Sequence, residues 1–288
     1  MMKRAEILIE ALPYIKRFTG KTFVIKYGGS VMEDETLKKK FIEDVALLKL
    51  VGINIVIVHG GGKRINAMLN QVDLDVKFQQ GQRVTDEHVM KIVEMVLSGQ
   101  VNKDLSACLS QHGLNAVGLC GRDSNLLKAV KNYAVGQNGE KLDLGYVGKV
   151  SEVNKAVLTD LIAADYVPII SPVACGEDGE TFNVNADYAA GAVSGALEAE
   201  KLILLSDIKG LYRDINDEDS FIPEINCDKV KEYIEDGTIA GGMIPKMQCC
   251  VDAIQKGARE VVIIDGRVEH SLLIEIFTHS GSGTMVTK

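Results

Sequence analysis

Short apolar runs rich in β-branched residues alternate with helical patterns along nearly the whole chain, and this alternation constrains the fold most. The runs lie at residues 22–26, 54–59, 116–119, 167–171, 201–206 and 260–265. Some are apolar without interruption, such as Ile-Val-Ile-Val at 55–58, which is typical of strands buried on both faces. Between the runs, apolar residues recur at three- and four-residue spacing. The pattern predicts an α/β fold with a mainly parallel open sheet sandwiched by helices.

Two segments depart from this alternation. Residues 125–150 predict strand–turn–strand, with the turn residues Gly-Gln-Asn-Gly at 136–139, and a similar turn follows at 176–179. We expect these β-hairpins to project as flaps over or beside a ligand. Residues 1–21 predict an extra N-terminal amphipathic helix, interrupted near Pro13, whose apolar face requires a partner. The predicted organisation is an N-terminal interaction helix at 1–21 followed by a single domain at 22–288.

Charge and composition argue against several classes of function. The net charge is −8, aromatic residues make up 5% and tryptophan is absent, so nucleic-acid binding lacks both a basic stripe and stacking platforms. The six cysteines form no C-x-x-C pair, which favours reduced, mostly buried thiols over a metal site. The charged N-terminus does not resemble a signal peptide, and no apolar run is long enough to cross a bilayer. We therefore expect a cytoplasmic protein without a resident metal.

Glycine clusters directly follow the first two predicted strands. They read Lys-Tyr-Gly-Gly-Ser at 26–30 and His-Gly-Gly-Gly-Lys at 59–63, and neither matches a P-loop or a dinucleotide-binding fingerprint. Glycines expose backbone N–H groups, and a following helix N-terminus favours anions. The alternative is two tight turns without a ligand, which their position at consecutive strand ends disfavours. The clusters predict an anion site at the carboxyl edge of the sheet.

Four further polar motifs complete the pattern. They are Gly-Gln-Arg-Val-Thr at 81–85, Asn-Val-Asn-Ala-Asp at 183–187, Ser-Asp-Ile-Lys-Gly-Leu at 206–211 and Gly-Gly-Met-Ile-Pro-Lys at 241–246. With these motifs in this order, the chain resembles the amino acid kinase family, and within it the N-acetyl-L-glutamate kinases, over essentially its whole length. The resemblance implies ATP-dependent phosphorylation of the γ-carboxylate of N-acetyl-L-glutamate, a step of arginine biosynthesis. It also implies Mg²⁺ held mainly by ATP, an acceptor-binding lobe at about 22–195 and a nucleotide-binding lobe at about 196–288.

The resemblance assigns a role to each matching residue. Lys26 and Lys246 would neutralise phosphate charge on the acceptor side and the ADP side, and Asp187 would organise both lysines. The acceptor would be bound by Gly61, Gly62, Arg83 and Asn183. The nucleotide would be bound by Gly28, Gly29, Ser206, Asp207, Gly210 and Gly242. The physical chemistry agrees, because a carboxylate is already ionised at pH 7 and its phosphorylation needs positioning and charge neutralisation rather than a base.

Each assigned residue has a structural alternative, and so does the function. Lys26, Lys246, Asp187 and Arg83 could be ordinary surface or helix-end charges, and we interpret His59 as a structural hydrogen-bonding residue. A relative that phosphorylates carbamate, glutamate, aspartate or UMP would use similar motifs. A non-catalytic sensor of arginine or nucleotide is a further alternative, which the two lysines and Asp187 disfavour.

The two ends of the chain resemble the arginine-sensitive members of this group. The resemblance implies feedback inhibition by L-arginine and a homohexamer joined through interlaced N-terminal helices. The arginine site would include Tyr14, Lys201, His270, Glu275, Gly281 and Gly283, with Glu275 receiving a cationic group and a glycine turn offering backbone contacts. The alternative is a plain closing helix and a tail. A signalling-protein partner is not identified by the sequence.

Overall fold

The computed structural model describes residues 2–136 and 139–288, with side chains from residue 9 onward. The helices of this part of the chain are α1 (Met2–Phe18), α2 (Glu35–Leu50), α3 (Gly62–Gln71), α4 (Glu87–Glu94), α5 (Asn102–Gln111), α6 (Lys155–Ala163), α7 (Ala186–Ala196), α8 (Cys227–Glu235), α9 (Met243–Gln255) and α10 (Ser271–Phe277). A π-helical segment, Met95–Val101, joins α4 to α5.

The strands are short, as the apolar runs predict. They are β1 (Thr22–Tyr27), β2 (Asn54–His59), β3 (Phe78–Gln79), β4 (Gln82–Arg83), β5 (Ala116–Cys120), β6 (Leu127–Val135), β7 (Lys141–Val153), β8 (Val167–Ser171), β9 (Val173–Cys175), β10 (Thr181–Val184), β11 (Lys201–Ser206), β12 (Leu211–Tyr212), β13 (Phe221–Ile222), β14 (Glu224–Asn226), β15 (Glu260–Asp265) and β16 (Gly283–Thr287). All six predicted strands are present, two of them one residue longer than predicted.

The main sheet has eight strands in the order β14-β16-β15-β11-β1-β2-β8-β5. The six strands from β15 to β5 are parallel, and β16 pairs with β15 in the antiparallel direction. The mainly parallel α/β fold is therefore confirmed. Reading the C-terminus as a helix and a plain tail would be wrong, because Gly283–Thr287 forms a strand of this sheet between β14 and β15.

The sheet separates two hydrophobic clusters, which explains the uninterrupted apolar runs. Along β2, Val56 and Val58 point into one cluster while Ile55 and Ile57 point into the other. Side chains alternate across a strand, so a strand covered by helices on both faces must be apolar at every position.

The predicted β-hairpins are present and join each other. Strands β6 and β7 are antiparallel, as are β9 and β10, and the four strands close into a small barrel beside the main sheet. Residues 137 and 138 of the first predicted turn lie outside the described residues. Strand β10 leads directly into α7, so the barrel brings residues 183–187 to the carboxyl edge of the sheet.

Helix α1 continues through Pro13, so the predicted interruption is wrong. Proline removes one backbone donor, and the carbonyl that loses its bond belongs to Ile9, which is 63% exposed and accessible to water. Phe18 anchors the end of the helix by an edge-on contact with Phe23, with 5.1 Å between ring centroids. Ile9 and Leu12 stay largely exposed, so part of the apolar face is uncovered within this chain.

The cysteines and the hydropathy of the helices agree with the sequence interpretation in part. All six cysteines are free, but only Cys227, Cys249 and Cys250 are buried, and the other three are half-buried. Among the described residues, none of the helices combines the length and the apolar character needed to cross a membrane.

Candidate functional site

A cavity of about 430 Å³ opens at the carboxyl ends of β1 and β2. Both glycine clusters line it, together with residues of β4, β10 and the start of α7. The first cluster turns sharply at Gly29, whose φ of +73° favours glycine, and a side chain there would meet the Asp207 carboxylate at 2.9 Å. The sequence prediction that the clusters converge at one edge of the sheet is therefore confirmed.

Lys26, Asp187 and Lys246 form a charged group at this edge. The Lys26 Nζ lies 2.9 Å from Asp187 Oδ1, and the Lys246 Nζ lies 3.4 Å from Asp187 Oδ2. The side chain of Asn185 caps α7 by accepting a hydrogen bond of 2.8 Å from the Asp187 N–H, which fixes the first turn of the helix. Burial by itself would raise the pKa of Asp187, but the charges of Lys26 and Lys246 hold it below the ordinary value. Asp187 is therefore an anion that holds two ammonium groups at fixed positions.

The second glycine cluster forms the N-terminus of α3. No side chain caps this helix, so its first N–H groups are left for another acceptor. A side chain at Gly61 would lie 2.6 Å from Leu97 Cδ2, whereas the space beside Gly62 is open. Gly61 is needed for close packing on the π-helical segment, and the N–H groups that follow it can receive an anion from the cavity.

Arg83 is 7% exposed and has no carboxylate partner among the described residues. Its Nη2 donates to Asn66 Oδ1 and to the Gly62 carbonyl, the latter at 3.3 Å, while Nη1 is buried without a hydrogen-bond partner. The guanidinium lies 4.8 Å from the ring centroid of Phe78, on the cavity wall. Burial lowers its pKa. A buried cation with an unpaired donor at a cavity is suited to bind an anionic ligand.

Asn183 lies opposite this cation on β10. Its Nδ2 donates to Thr85 Oγ1 at 3.2 Å, and the Thr85 hydroxyl in turn donates to the Arg83 carbonyl at 2.9 Å. The side chain of Asn183 lines the same cavity. This relay fixes Asn183 relative to Arg83, so both can contact one ligand.

The residues predicted for the nucleotide fall into two places. Gly28 and Gly29 line the cavity, whereas Ser206, Asp207, Gly210 and Gly242 do not. Asp207 adjoins the cavity through Ser30, whose N–H and hydroxyl donate to its Oδ1 at 3.1 and 2.6 Å. The other three have separate surroundings: Ser206 ends β11, Gly210 packs against Thr284, and Gly242 precedes α9 with open space around it.

His59 is fully buried beside the glycines and is hydrogen-bonded on both ring nitrogens. Its Nδ1 lies 2.8 Å from the Gly60 carbonyl, and its Nε2 lies 3.1 Å from Asn102 Nδ2. Burial lowers its pKa to about 4, so the ring is neutral near pH 7. The interpretation of His59 as a structural residue agrees with this geometry.

The residues predicted for an arginine site lie on the opposite side of the sheet from the barrel, and only some of them meet. Lys201 Nζ lies 3.1 Å from the buried Glu275 carboxylate, whose other oxygen accepts from the Ser282 N–H at 2.8 Å. A side chain at Gly281, which has a φ of +62°, would approach the same oxygen at 2.7 Å.

The remaining members of that set have other contacts. His270 Nδ1 contacts the buried Asp44 carboxylate, and Tyr14 is half-buried against the second hydrophobic cluster. Gly283 lies in β16 opposite Ile264, so it belongs to the sheet and not to the glycine turn that the sequence predicts. A strand of five residues after a glycine-rich turn gives too weak a period to be recognised from sequence.

Several residues of the site were not selected by the sequence analysis. They are Ser30, Glu33, Lys63, Asn66, Phe78, Thr85 and Asn185. The spacing Asn-x-Asp at 185–187 is a helix-start signal that could have identified the cap. Asn66 lies one turn after the glycines, but nothing in the sequence connects it with Arg83.

Comparisons with known proteins agree with this architecture. The sequence pattern of the amino acid kinase family matches residues 21–265. An acetylglutamate kinase of Thermoanaerobacter pseudethanolicus is 50% identical over 285 residues, which cover 99% of this chain and 93% of that protein. An acetylglutamate kinase of Geobacter metallireducens is 52% identical over 292 residues, which cover 100% of this chain and 99% of that protein.

Solved structures show the same fold. N-acetylglutamate synthase from Neisseria gonorrhoeae, complexed with coenzyme A and N-acetyl-glutamate, has a TM-score of 0.84 at 27% identity; the match covers 99% of this chain but 63% of that one. Carbamate kinase from Giardia lamblia bound to AMP-PNP has a TM-score of 0.63 at 18% identity, covering 93% of this chain and 99% of that one. With the family pattern spanning both the glycine turns and Asp187, the chain belongs to the amino acid kinase family.

Proposed function

We propose that this chain transfers the γ-phosphoryl group of ATP to the γ-carboxylate of N-acetyl-L-glutamate, as a step of arginine biosynthesis. The observation that carries the proposal is Arg83, a buried guanidinium on the wall of the cavity that also holds Lys26 and Asp187. It has no carboxylate partner in the part of the chain that the structure describes, and its Nη1 is unbonded there. The names of relatives at 50% and 52% identity support the same acceptor.

The acceptor fits the cavity in one orientation. The planar fork of Arg83 would bind the α-carboxylate, with Asn183 donating beside it. The γ-carboxylate would then lie against the N–H groups at the start of α3, close to Lys26. In this pose the buried Nη1 of Arg83 gains the partner that it lacks in the free protein.

Phosphoryl transfer between two anions requires charge neutralisation and alignment. Lys26 would contact the transferring phosphoryl group from the acceptor side, and Lys246 would neutralise the negative charge on the phosphates toward the leaving ADP. Asp187 would hold both ammonium groups in place. The acceptor carboxylate needs no base, so no proton is removed in the transfer. Mg²⁺ would enter with ATP, held mainly by phosphate oxygens and water.

The nucleotide would lie beyond the cavity toward β11 and α9. The Gly28–Gly29 turn is held to this side by the hydrogen bonds between Ser30 and Asp207. We therefore propose that Ser206, Asp207, Gly210 and Gly242 border the nucleotide rather than the acceptor. This division corresponds to the acceptor lobe at about 22–195 and the nucleotide lobe at about 196–288.

The test is ADP release from Mg-ATP with five acceptors offered separately: N-acetyl-L-glutamate, glutamate, aspartate, carbamate and UMP. Turnover with N-acetyl-L-glutamate alone is the expected result. Preference for another acceptor would overturn the substrate assignment but keep the kinase. No turnover with any acceptor would favour a sensor of arginine or nucleotide.

We also propose that L-arginine inhibits the enzyme and that the protein is a cytoplasmic homohexamer. The uncovered apolar residues Ile9 and Leu12 of α1 support association through this helix. The Lys201–Glu275 pair beside Gly281 supports the effector site, because an entering guanidinium could replace the ammonium of Lys201 on the carboxylate.

The effector site is tested with Glu275→Gln, assayed with and without arginine. The variant should keep its turnover and lose inhibition, because the cavity with Lys26 is remote from Glu275 in the fold. Inhibition as strong as in the unmodified protein would remove the proposed site. Sedimentation analysis of the unmodified protein, and of Leu12→Asp, tests the hexamer.

A further inference from the structure

Lys63 is a cation of the cavity wall to which the proposed transfer gives no role. It is the second residue of α3 and directly follows the three glycines. It is exposed, and it lines the cavity together with Lys26 and Arg83. Throughout the described residues its ammonium group forms neither a hydrogen bond nor an ion pair.

The position is unfavourable for a lysine that only faces solvent. Partial positive charge accumulates at a helix N-terminus, so a cation in the first turn costs stability. Lys38, the fourth residue of α2, has a carboxylate within the same turn, because its Nζ lies 3.6 Å from Glu35 Oε1. The positions one turn after Lys63 hold Asn66 and Ala67, which offer no charge.

Without Lys63, the site offers little positive charge to the phosphates of ATP. Lys26 and Lys246 share one carboxylate, Asp187, so together they present a net charge close to that of a single lysine. Arg83 is at the acceptor end, bound to Asn66 and the Gly62 carbonyl. Lys63 is thus a cation on this wall that forms no ion pair within the described part of the chain and is not assigned to the acceptor, while both substrates are anions.

Its neighbours place it on the phosphate side of the cavity. Burial by itself would raise the pKa of Asp207. Hydrogen bonds from Ser30 and the positive charges of Arg267 and Lys63 outweigh this effect and hold the pKa below its ordinary value. Lys63 is therefore within electrostatic range of a residue that borders the proposed nucleotide site. It lines the same cavity as Gly28 and Gly29 of the first glycine turn.

We propose that Lys63 is a third phosphate-binding cation of the kinase, which contacts the phosphate chain of ATP as it enters and the transferring group in the transition state. The inference rests on the proposed function. The ammonium stays protonated throughout, and no covalent step passes through it. The flexible stem lets the charge move from solvent onto phosphate oxygens, which an arginine fork or a fixed N–H group cannot do as freely.

The experiment compares Lys63→Gln and Lys63→Arg with Lys91→Gln, a matched loss of one exposed helical lysine outside the cavity. Steady-state kinetics are measured with varied ATP and varied N-acetyl-L-glutamate at low and high salt. We expect Lys63→Gln to lower kcat/KM for ATP by roughly tenfold to a hundredfold, as for loss of a charge-assisted hydrogen bond. Lys63→Arg should recover part of the loss, and Lys91→Gln should match the unmodified enzyme.

Two further readouts separate catalysis from structure. The KM for N-acetyl-L-glutamate should change by less than about threefold in Lys63→Gln, because Arg83 sets that affinity. The KM for ATP should also depend less on salt in this variant, because one screened attraction is gone. Thermal unfolding without substrates should be unchanged or slightly more stable, since the cation is unfavourable where it stands.

The outcomes distinguish this inference from the function on which it rests. An unmodified protein that does not turn over ATP refutes the proposed function, and the Lys63 role with it. An active unmodified protein whose Lys63→Gln variant has the same kcat/KM for ATP refutes the role of Lys63 alone. Equal losses in Lys63→Gln and Lys91→Gln would mean that net charge is responsible, which also refutes it.

Discussion

Replacing Arg83 by methionine tests whether this residue contributes mainly to substrate binding or mainly to the stability of the fold. The side chain is 7% exposed, so methionine can fill much of the same space. The substitution removes the hydrogen bonds to Asn66 and the Gly62 carbonyl and the contact with Phe78. It also removes a desolvated charge whose Nη1 has no partner. The two effects on the free energy of unfolding oppose each other.

The magnitudes predict a small change in stability without substrate. The hydrogen bond to Asn66 is worth about 1.5–3 kcal/mol because its donor is charged, whereas the bond to the Gly62 carbonyl is long at 3.3 Å and adds little. An unsatisfied buried polar group costs about 1–3 kcal/mol. We therefore expect Arg83→Met to lower the free energy of unfolding by no more than about 2 kcal/mol. Urea denaturation of the substrate-free protein measures this value.

The effect on the acceptor should be much larger. Removing one partner of a buried charge pair costs about 2–5 kcal/mol, so kcat/KM for N-acetyl-L-glutamate should fall by about thirtyfold to several thousandfold. At a concentration of about 100 times the dissociation constant, a ligand stabilises a protein by about 2.7 kcal/mol. If the variant binds about a hundredfold more weakly, the same concentration stabilises it by only about 0.4 kcal/mol.

Arg122→Met is the matched control, because that guanidinium is already paired with Glu94 outside the cavity. It should leave both kinetics and ligand-induced stabilisation unchanged. Arg83→Lys should give an intermediate KM, since it keeps a charge but loses the fork. The reasoning is refuted if Arg83→Met has an unchanged KM for the acceptor and loses several kcal/mol of stability without substrate.

Three further substitutions probe other parts of the site. Asp187→Asn frees Lys26 and Lys246 from their common anion, so kcat should fall by about a hundredfold or more with little change in either KM, as steady-state assays would show. His59 has a pKa of about 4 because burial disfavours its charged form, so below about pH 6.5 the unfolded state binds a proton that the folded state does not. Stability should therefore decrease as the pH falls from about 6.5 toward 4, and His59→Gln should reduce this loss in urea denaturation at pH 7 and pH 5. Gly61→Ala places a Cβ 2.6 Å from Leu97 Cδ2 and should displace the start of α3, which raises the KM for the acceptor. Gly99→Ala has open space outside the cavity and serves as its control.

The sheet could be predicted from sequence because its signal is local. Each central strand is covered on both faces, so a run such as 201–206 is apolar along most of its length and its end is marked by a change to polar residues. The last strand, Gly283–Thr287, was missed because it is short, lies toward the edge of the sheet and follows a glycine-rich turn. Helix α1 was expected to break at Pro13, but the exposed carbonyl of Ile9 can bond to water.

From residue patterns alone, the site was predictable only where glycines at the strand ends indicate it. Glycines after consecutive strands identify the edge of the sheet because few other residues provide such turns and free N–H groups. The pairing of Asp187 with both lysines was implied by the resemblance to the family, but no pattern of spacing carries that information, because the pairing depends on how α7 and α9 pack. Asn66 and Thr85 are equally hidden, because they act through Arg83 and Asn183 and their own sequence context is ordinary.

The substrate-free site is assembled from positive groups that lack partners. Among the described residues, Arg83 has an unbonded Nη1, α3 has no side-chain cap, and Lys63 forms no ion pair. Each of these features costs stability in the free protein, and an anion bound in the cavity relieves all three. Removing any one should therefore weaken substrate binding while leaving the free protein about as stable as before. A residue retained for packing would show the opposite pattern, so stability with and without substrate separates the two kinds of residue on this cavity wall.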